Sequence, residues 1–249
     1  MKKFIVLFIL TFMAATSLHA ASTSTCFDTD TKLMLHMNGV DGSTTFTDSS
    51  TAAKTVTANG NAQIDTAQSK FGGASGLFDG SGDFLTVPDS TDWDLGTGDF
   101  TIDFWIRFNA TGSTVDFISR QDTQFRLGVT NSGDVYWFIE GNERWTRTAA
   151  GFSTGVWYHL TFTRSGTTVR VFKDGTALGS TGTSSDNIAA TGDLYIAGNS
   201  GGGLNVNGWI EELRWVKGTA IWTSNFTPPS AEYTSCGGGA SRRVISWCS

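Results

Sequence analysis

The sequence predicts an all-β domain, an antiparallel sandwich of two sheets. Three observations predict it. Short stretches alternate apolar and polar residues with a period of two, as a strand with one buried face does. Glycine-centred turns separate these stretches at short intervals. No stretch shows an amphipathic helix of ordinary length. The composition agrees: 30 glycines and only 3 prolines among 249 residues suit many strands joined by tight turns.

The chain opens with Lys2 and Lys3, an apolar run over residues 4–15, and Ser17-Leu18-His19-Ala20. A basic start, a short apolar core and a small residue at the cut describe a signal peptide, 1–20. The run is too short to span a bilayer comfortably. Export is therefore expected, to the periplasm, the extracellular space or the cell surface, without membrane insertion after cleavage. Residues 21–236 are expected to form one domain, large enough for a substantial core. Residues 237–249, with Gly237-Gly238-Gly239 and Arg242-Arg243, read as a flexible tail.

The strand signals follow in order. In "DFTIDFWIRF" (99–108), Phe100, Ile102, Phe104, Ile106 and Phe108 share one face; Thr101, Asp103, Trp105 and Arg107 share the other. "NSGDVYWFIEGNERWTRT" (131–148) reads as a hairpin turning at Gly141-Asn142, with Trp137 inward beside Val135 and Ile139. "VWYHLTFTR" (156–164) places Tyr158, Leu160 and Phe162 inward. "TVRVFKDGTALG" (168–179) is two short strands around Asp174-Gly175, a strong hairpin signal. "GDLYIAG" and "GWIEELRW" are later strands, and "KGTAIWTSNF" (217–226) is expected to hold one helical turn. The loop "GNSGGGLNVNG" (198–208) either moves or lets something approach its bare backbone.

Net charge is −6, with lysines and arginines scattered, which argues against a nucleic-acid partner. Three cysteines lie beyond the leader: Cys26, Cys236 and Cys248. If the domain's ends meet, Cys26 and Cys236 close it, leaving Cys248 free or intermolecular; otherwise all three are incidental. Glu211 and Glu212 raise the question of catalysis, since glycoside hydrolases use paired carboxylates. Adjacent residues on a regular strand point to opposite faces, so both reach one sugar only if a bulge re-aims one. Beyond the leader the only histidines are His36 and His159, and no nucleophile–base signature accompanies them. No catalytic residue is assigned, and the chain is expected not to be an enzyme.

Four stretches occur in an order that carries a resemblance: "GGASGLFDGSGDFLTVPDS" (72–90), "GDFTIDFWIRF" (98–108), "WYHLTFTRSGTTVRVFKDG" (157–175) and "GWIEELRWVKGTAIWTSNFTPP" (208–229). Together they resemble the laminin-G-like jelly roll of the concanavalin A-like lectin/glucanase superfamily. "LMLHMNGVDGSTTFTDSS" (33–50) is similar to versions found in bacterial surface proteins and phage structural proteins. The resemblance implies a ligand, where there is one, in a groove of one sheet or among the rim loops. It implies a structural role for His159. The E-x-D-x-x-E strand of the glucanase members is missing here. Relatives often hold a structural calcium, which takes several oxygen ligands from flexible turns. On that basis Asp79, Asp83 and Glu212 are expected as metal residues. The alternative is that Asp79 caps its own turn and Glu212 pairs with an arginine such as Arg214.

Sugar sites set an aromatic ring beside polar donors and acceptors. Trp105, on the polar face of its strand, either lines such a groove or packs under a loop. The hairpin "IEGNERWTR" gathers Glu140, Asn142, Arg144 and Trp145, either as a binding rim or as a solvated tip. The expected function is non-catalytic carbohydrate binding. The alternative is a structural or adhesion module that meets a protein partner or self-associates through the tail; a hydrolase comes third.

Overall fold

The computed structural model describes residues 25–120, 125–189 and 191–236. The leader and the tail lie outside the described residues, and Cys248 with them.

Two antiparallel sheets pack face to face as a jelly-roll sandwich. One runs, in spatial order, through Asn142–Ala149, Asp134–Ile139, Phe125–Val129, Val115–Arg120, Leu194–Ile196, Phe84–Val87 and Thr57–Asn59. The other runs through Thr176–Ala177, Thr168–Lys173, Trp157–Ser165, Phe100–Phe108, Asn207–Lys217, Ser75–Asp79 and Gln63–Asp65. Thr31–Leu35 also pairs with Asn207–Lys217, and Gly182–Thr183 with Thr168–Lys173. The apolar faces read from the sequence meet between the sheets. Phe104 packs edge-on against Phe117 at 5.5 Å, and Trp137 against Phe162 at 5.8 Å. Burying each such ring contributes roughly 1.5–3 kcal/mol relative to exposure.

The other face of the larger sheet is buried as well. After Lys217 the chain turns back across it as a strap, seating Trp222 and Tyr233 on the polar row of Phe100–Phe108. Asp103 is fully buried there and holds Arg214 Nε at 3.0 Å, His159 Nε2 at 3.3 Å and the Tyr233 hydroxyl. Arg214 also stacks on the Tyr233 ring at 3.8 Å and donates to the Cys26 carbonyl at 3.2 Å. Burial would lift the Asp103 carboxyl, but the Arg214 charge, with His159 and Tyr233, holds it below the usual range. The strap's end is fixed twice. Thr234–Ser235 pairs in parallel with Cys26–Phe27, and a disulfide joins Cys26 to Cys236 with the Cα atoms 4.9 Å apart. The bridge closes the described domain, as one reading of the cysteines expected.

Two local readings need correction. The first hairpin turns at Glu140-Gly141, one residue earlier than expected, with φ of 52° and 71°. Such a turn needs positive φ at both central positions, and placing Gly141 second frees Asn142 to begin the next strand. The segment 217–226 forms no helix. Its backbone is held in an irregular path instead: Ile221 N–H donates to Thr101 Oγ1 at 2.8 Å, and Phe226 N–H to the Gly175 carbonyl at 2.9 Å. The one short 3-10 turn among the described residues is Thr91–Trp93, capped by Ser90.

Candidate functional site: a groove at the loop rim

Neighbouring turns at one end of the sandwich enclose a groove of about 680 Å³. Its walls are the turn 109–114, the hairpin end 130–133, residues 149–152, the turn 80–82 and the glycine-rich loop 202–207. Phe108 and Phe152 form its apolar side, their rings 4.9 Å apart, with Val115, Val129 and Leu204 beside them. Phe108 is there because the alternation that fills the core runs to the last residue of its strand. Phe152 is half-buried and reaches the groove from a loop.

The polar lining is uncharged. Thr111, Ser113, Asn131, Ser132, Asn205 and Asn207 contribute hydroxyls and amides, and among the described residues no Asp, Glu, Lys, Arg or His lines the groove. Some of these groups build the site. Asn205 ties the glycine-rich loop to the Gly80–Gly82 turn, accepting from Gly82 N–H at 3.0 Å and donating to the Asp83 carbonyl at 2.9 Å. Asn207 accepts from Asn109 at 3.0 Å. Others are available: Asn131 is exposed, and no hydrogen bond occupies its side-chain amide among the described residues. The loop at 198–208 thus serves as a wall that a ligand can approach closely.

The expected ligand residues lie elsewhere. Trp105 is 5% exposed and covered by the segment 68–73; Phe71 meets it edge-on at 5.8 Å and Lys70 Nζ sits 4.1 Å over its ring. It packs under a loop and lines no groove. Trp145 is 1% exposed and packs into the core, where its register with Trp137 turns it inward, and it lines the same open cleft as Arg144. It offers no stacking platform. Glu140 and Asn142 sit at the exposed hairpin tip, where Asn142 Nδ2 donates to the Glu140 carbonyl at 2.9 Å. Arg144 pairs with Asp186 at 2.6 Å beside a separate, open cleft. The five residues do not form one site.

The structure does not bring the three expected metal residues together. Asp79 pairs with Asn207 on the strand that carries Glu212 five residues further on, about 16 Å away at strand rise. The oxygens of Asp79 and Asp83 are taken by their own turn and by Asn61 of a neighbouring turn. Asp83 accepts from Asn61 N–H at 2.7 Å and Asp79 N–H at 2.9 Å, and Asp79 accepts from Ser81 N–H at 2.8 Å. Glu212 meets His36 at 2.6 Å, not Arg214, and accepts from Tyr233 N–H at 2.7 Å. Ligand atoms of His36, Glu212 and Glu232 come within 4.8 Å of one another, the one such group among the described residues.

The two adjacent glutamates share a face after all, because the strand bulges between them. Glu211 pairs with Trp105 and Arg214 with Asp103, so Glu212 and Leu213 stand opposite the single residue Phe104. Glu212 takes φ of 54° to do this. Glu211 accepts from the backbone N–H groups of Lys70 at 2.5 Å and Phe71 at 2.6 Å, clamping the segment over Trp105. Burial pushes the Glu211 carboxyl up to about 7, against those two donors and with help from the charges of Glu212 and Glu232. Burial alone would lower His36, but its bond to Glu212 and the surrounding carboxylates raise it. Both glutamates are closed off from solvent, at 0% and 1% exposure.

Two open antiparallel sheets with a loop-built groove at one rim define a lectin-like jelly-roll domain. The chain belongs to the laminin-G-type family described as "Concanavalin A-like lectin/glucanases superfamily", whose family model matches residues 79–220. Among solved structures it is similar to domain 4 of AbnA, an extracellular arabinanase from Geobacillus stearothermophilus, solved with arabinotriose. There the identity is 19%, the TM-score 0.58, and 76% of this chain and 93% of that one are covered. It is also similar to the binding domain of Paraclostridial Mosquitocidal Protein 1, at 17% identity and TM-score 0.59, covering 77% of this chain and 50% of that one. A Trypanosoma rangeli sialidase matches at 14% identity and TM-score 0.55, over 76% of this chain and 31% of that one. At these identities the likeness is one of fold. The chain spans about half of the toxin binding domain it matches. No curated protein matches the sequence.

Proposed function

We propose that the chain is a non-catalytic glycan-binding domain of an exported protein, and that its ligand occupies the rim groove. The observation that carries the reading is the groove itself, uncharged among the described residues: half-buried Phe152 beside Phe108, ringed by hydroxyls and amides, with the side-chain amide of Asn131 unoccupied by any described residue. A pyranose presents one apolar face and a rim of hydroxyls, which that lining complements. The arabinanase domain solved with arabinotriose supports the same class of ligand by analogy of fold. A non-catalytic role is supported by the lining, which among the described residues brings no carboxylate to the groove, and by the burial of Glu211 under the segment 68–73 and of Glu212 against Tyr233. The Cys26–Cys236 bridge suits an oxidising compartment. The test is a broad glycan array on the exported form, followed by titration of Phe152→Ala and Asn131→Ala on any hit. Both variants should lose at least tenfold in affinity; binding that survives both places the ligand elsewhere.

A further inference from the structure

Around the turn at Asn131 and Ser132 the groove meets a second cavity of about 250 Å³. Thr114, Thr130, Asn131 and Ser132 line both. The remaining wall of the second cavity is Arg126, Tyr136, Phe138 and Arg147. Two guanidinium groups thus open onto one end of an otherwise uncharged site, in a protein whose net charge is −6. Among the described residues no carboxylate lines this cavity.

The two arginines are held differently. Arg126 is locked: its Nε lies 3.0 Å from both oxygens of fully buried Asp116, and Nη2 donates to the Tyr136 hydroxyl at 3.2 Å. Arg147 lies over the Phe138 ring at 5.4 Å and the Tyr136 ring at 5.8 Å. Its one hydrogen bond among the described residues runs from Nε to Glu143 at 3.1 Å, and its side chain is 45% exposed. Exposed pairs of this kind hold weakly, so the guanidinium can exchange Glu143 for a ligand carboxylate at little cost. A planar guanidinium steadied on aromatic faces is suited to two-point recognition of a carboxylate.

We propose that this end of the groove is a carboxylate subsite, and that the ligand is an acidic glycan whose sugar ring bears a carboxylate, as a uronate or a sialic-type sugar does. The inference rests on the groove reading and narrows its ligand class. Arg147 makes the contact, and Arg126, neutralised by Asp116, shapes the wall beside it.

The experiment titrates matched pairs into the full chain: polygalacturonate fragments against their methyl esters, and sialyllactose against lactose. The acidic member of at least one pair should bind tenfold or more tighter at low salt, with the gap shrinking at high salt. Arg147→Ala should bring it down to the level of its neutral partner, and Arg147→Lys should recover only part. Arg147 is the residue to change, since removing Arg126 would strand the buried charge of Asp116. Neutral members binding in the groove as tightly as acidic ones would overturn the subsite and leave the groove reading standing. An acid preference that persists in Arg147→Ala would also overturn it. No binding by any member, with the folded chain also silent on the array, would overturn both. The pair that responds separates a uronate from a sialic-type ligand.

Discussion

Glu211 turns the strand bulge into a measurable pH dependence. Its folded carboxyl sits at about 7, against an ordinary value of 4.5. Between those values the folded chain keeps a proton that the unfolded chain releases, so stability must fall as pH rises from 4.5 to 7. At 1.36 kcal/mol per pH unit the loss is at most about 3 kcal/mol. His36 acts in the same sense slightly higher, because a raised histidine stabilises below its unfolded value and loses that contribution as pH climbs through its folded one. Asp103, held low, works in the opposite sense, but only below its ordinary 3.8. Glu211→Gln removes the titration. It also sets an amide NH2 against one of the two backbone donors of Lys70 and Phe71, which costs about 1–3 kcal/mol at every pH. Urea unfolding of both proteins at pH 5, 6, 7 and 8 reads this directly. The wild type should lose stability across the series, and the variant should start lower and decline less. A wild type that gains stability from pH 5 to 7, or a variant with an unchanged slope, would refute the burial argument.

Other perturbations test the rest of the structure. Cys26→Ser with Cys236→Ser should cost about 2–5 kcal/mol in thermal or urea unfolding, since the bridge spans 210 residues; an unchanged midpoint would mean that the strap is held without it. Asp103→Asn should cost about 3–5 kcal/mol by leaving Arg214 buried without its anion, and a loss below 1 kcal/mol would remove Asp103 from the centre of that network. Calcium should leave the melting temperature unchanged after chelation, because the oxygens of Asp79 and Asp83 already accept from their own turn and from Asn61; a rise of several degrees that Asp83→Asn abolishes would restore the metal there.

Much of the fold was legible in the alternation. Phe100 to Phe108 and Tyr158 to Phe162 face the core as a period of two requires, and the Asp174-Gly175 hairpin has positive φ at both residues, 51° and 73°. The second buried layer was not legible. Thr101, Asp103 and Trp105 read as a polar face with Trp105 in a groove or under a loop, and nothing local to that strand announces a strap arriving from more than a hundred residues away. The bulge at Glu212 was equally silent, because a non-glycine residue in the left-handed region carries no compositional mark. The groove had one visible sign, the glycine run in its wall. Asn131 and Phe152 come from irregular loops, where no period ties a residue to a direction.

The measurement that bears most directly on the central claim is the glycan array, run on residues 21–249 with calcium and again with chelator. Binding to a defined glycan is expected in both conditions, and it should fall at least tenfold in Phe152→Ala and Asn131→Ala. Silence in both conditions, from protein shown to be folded, would contradict the assignment of the rim groove as a glycan site.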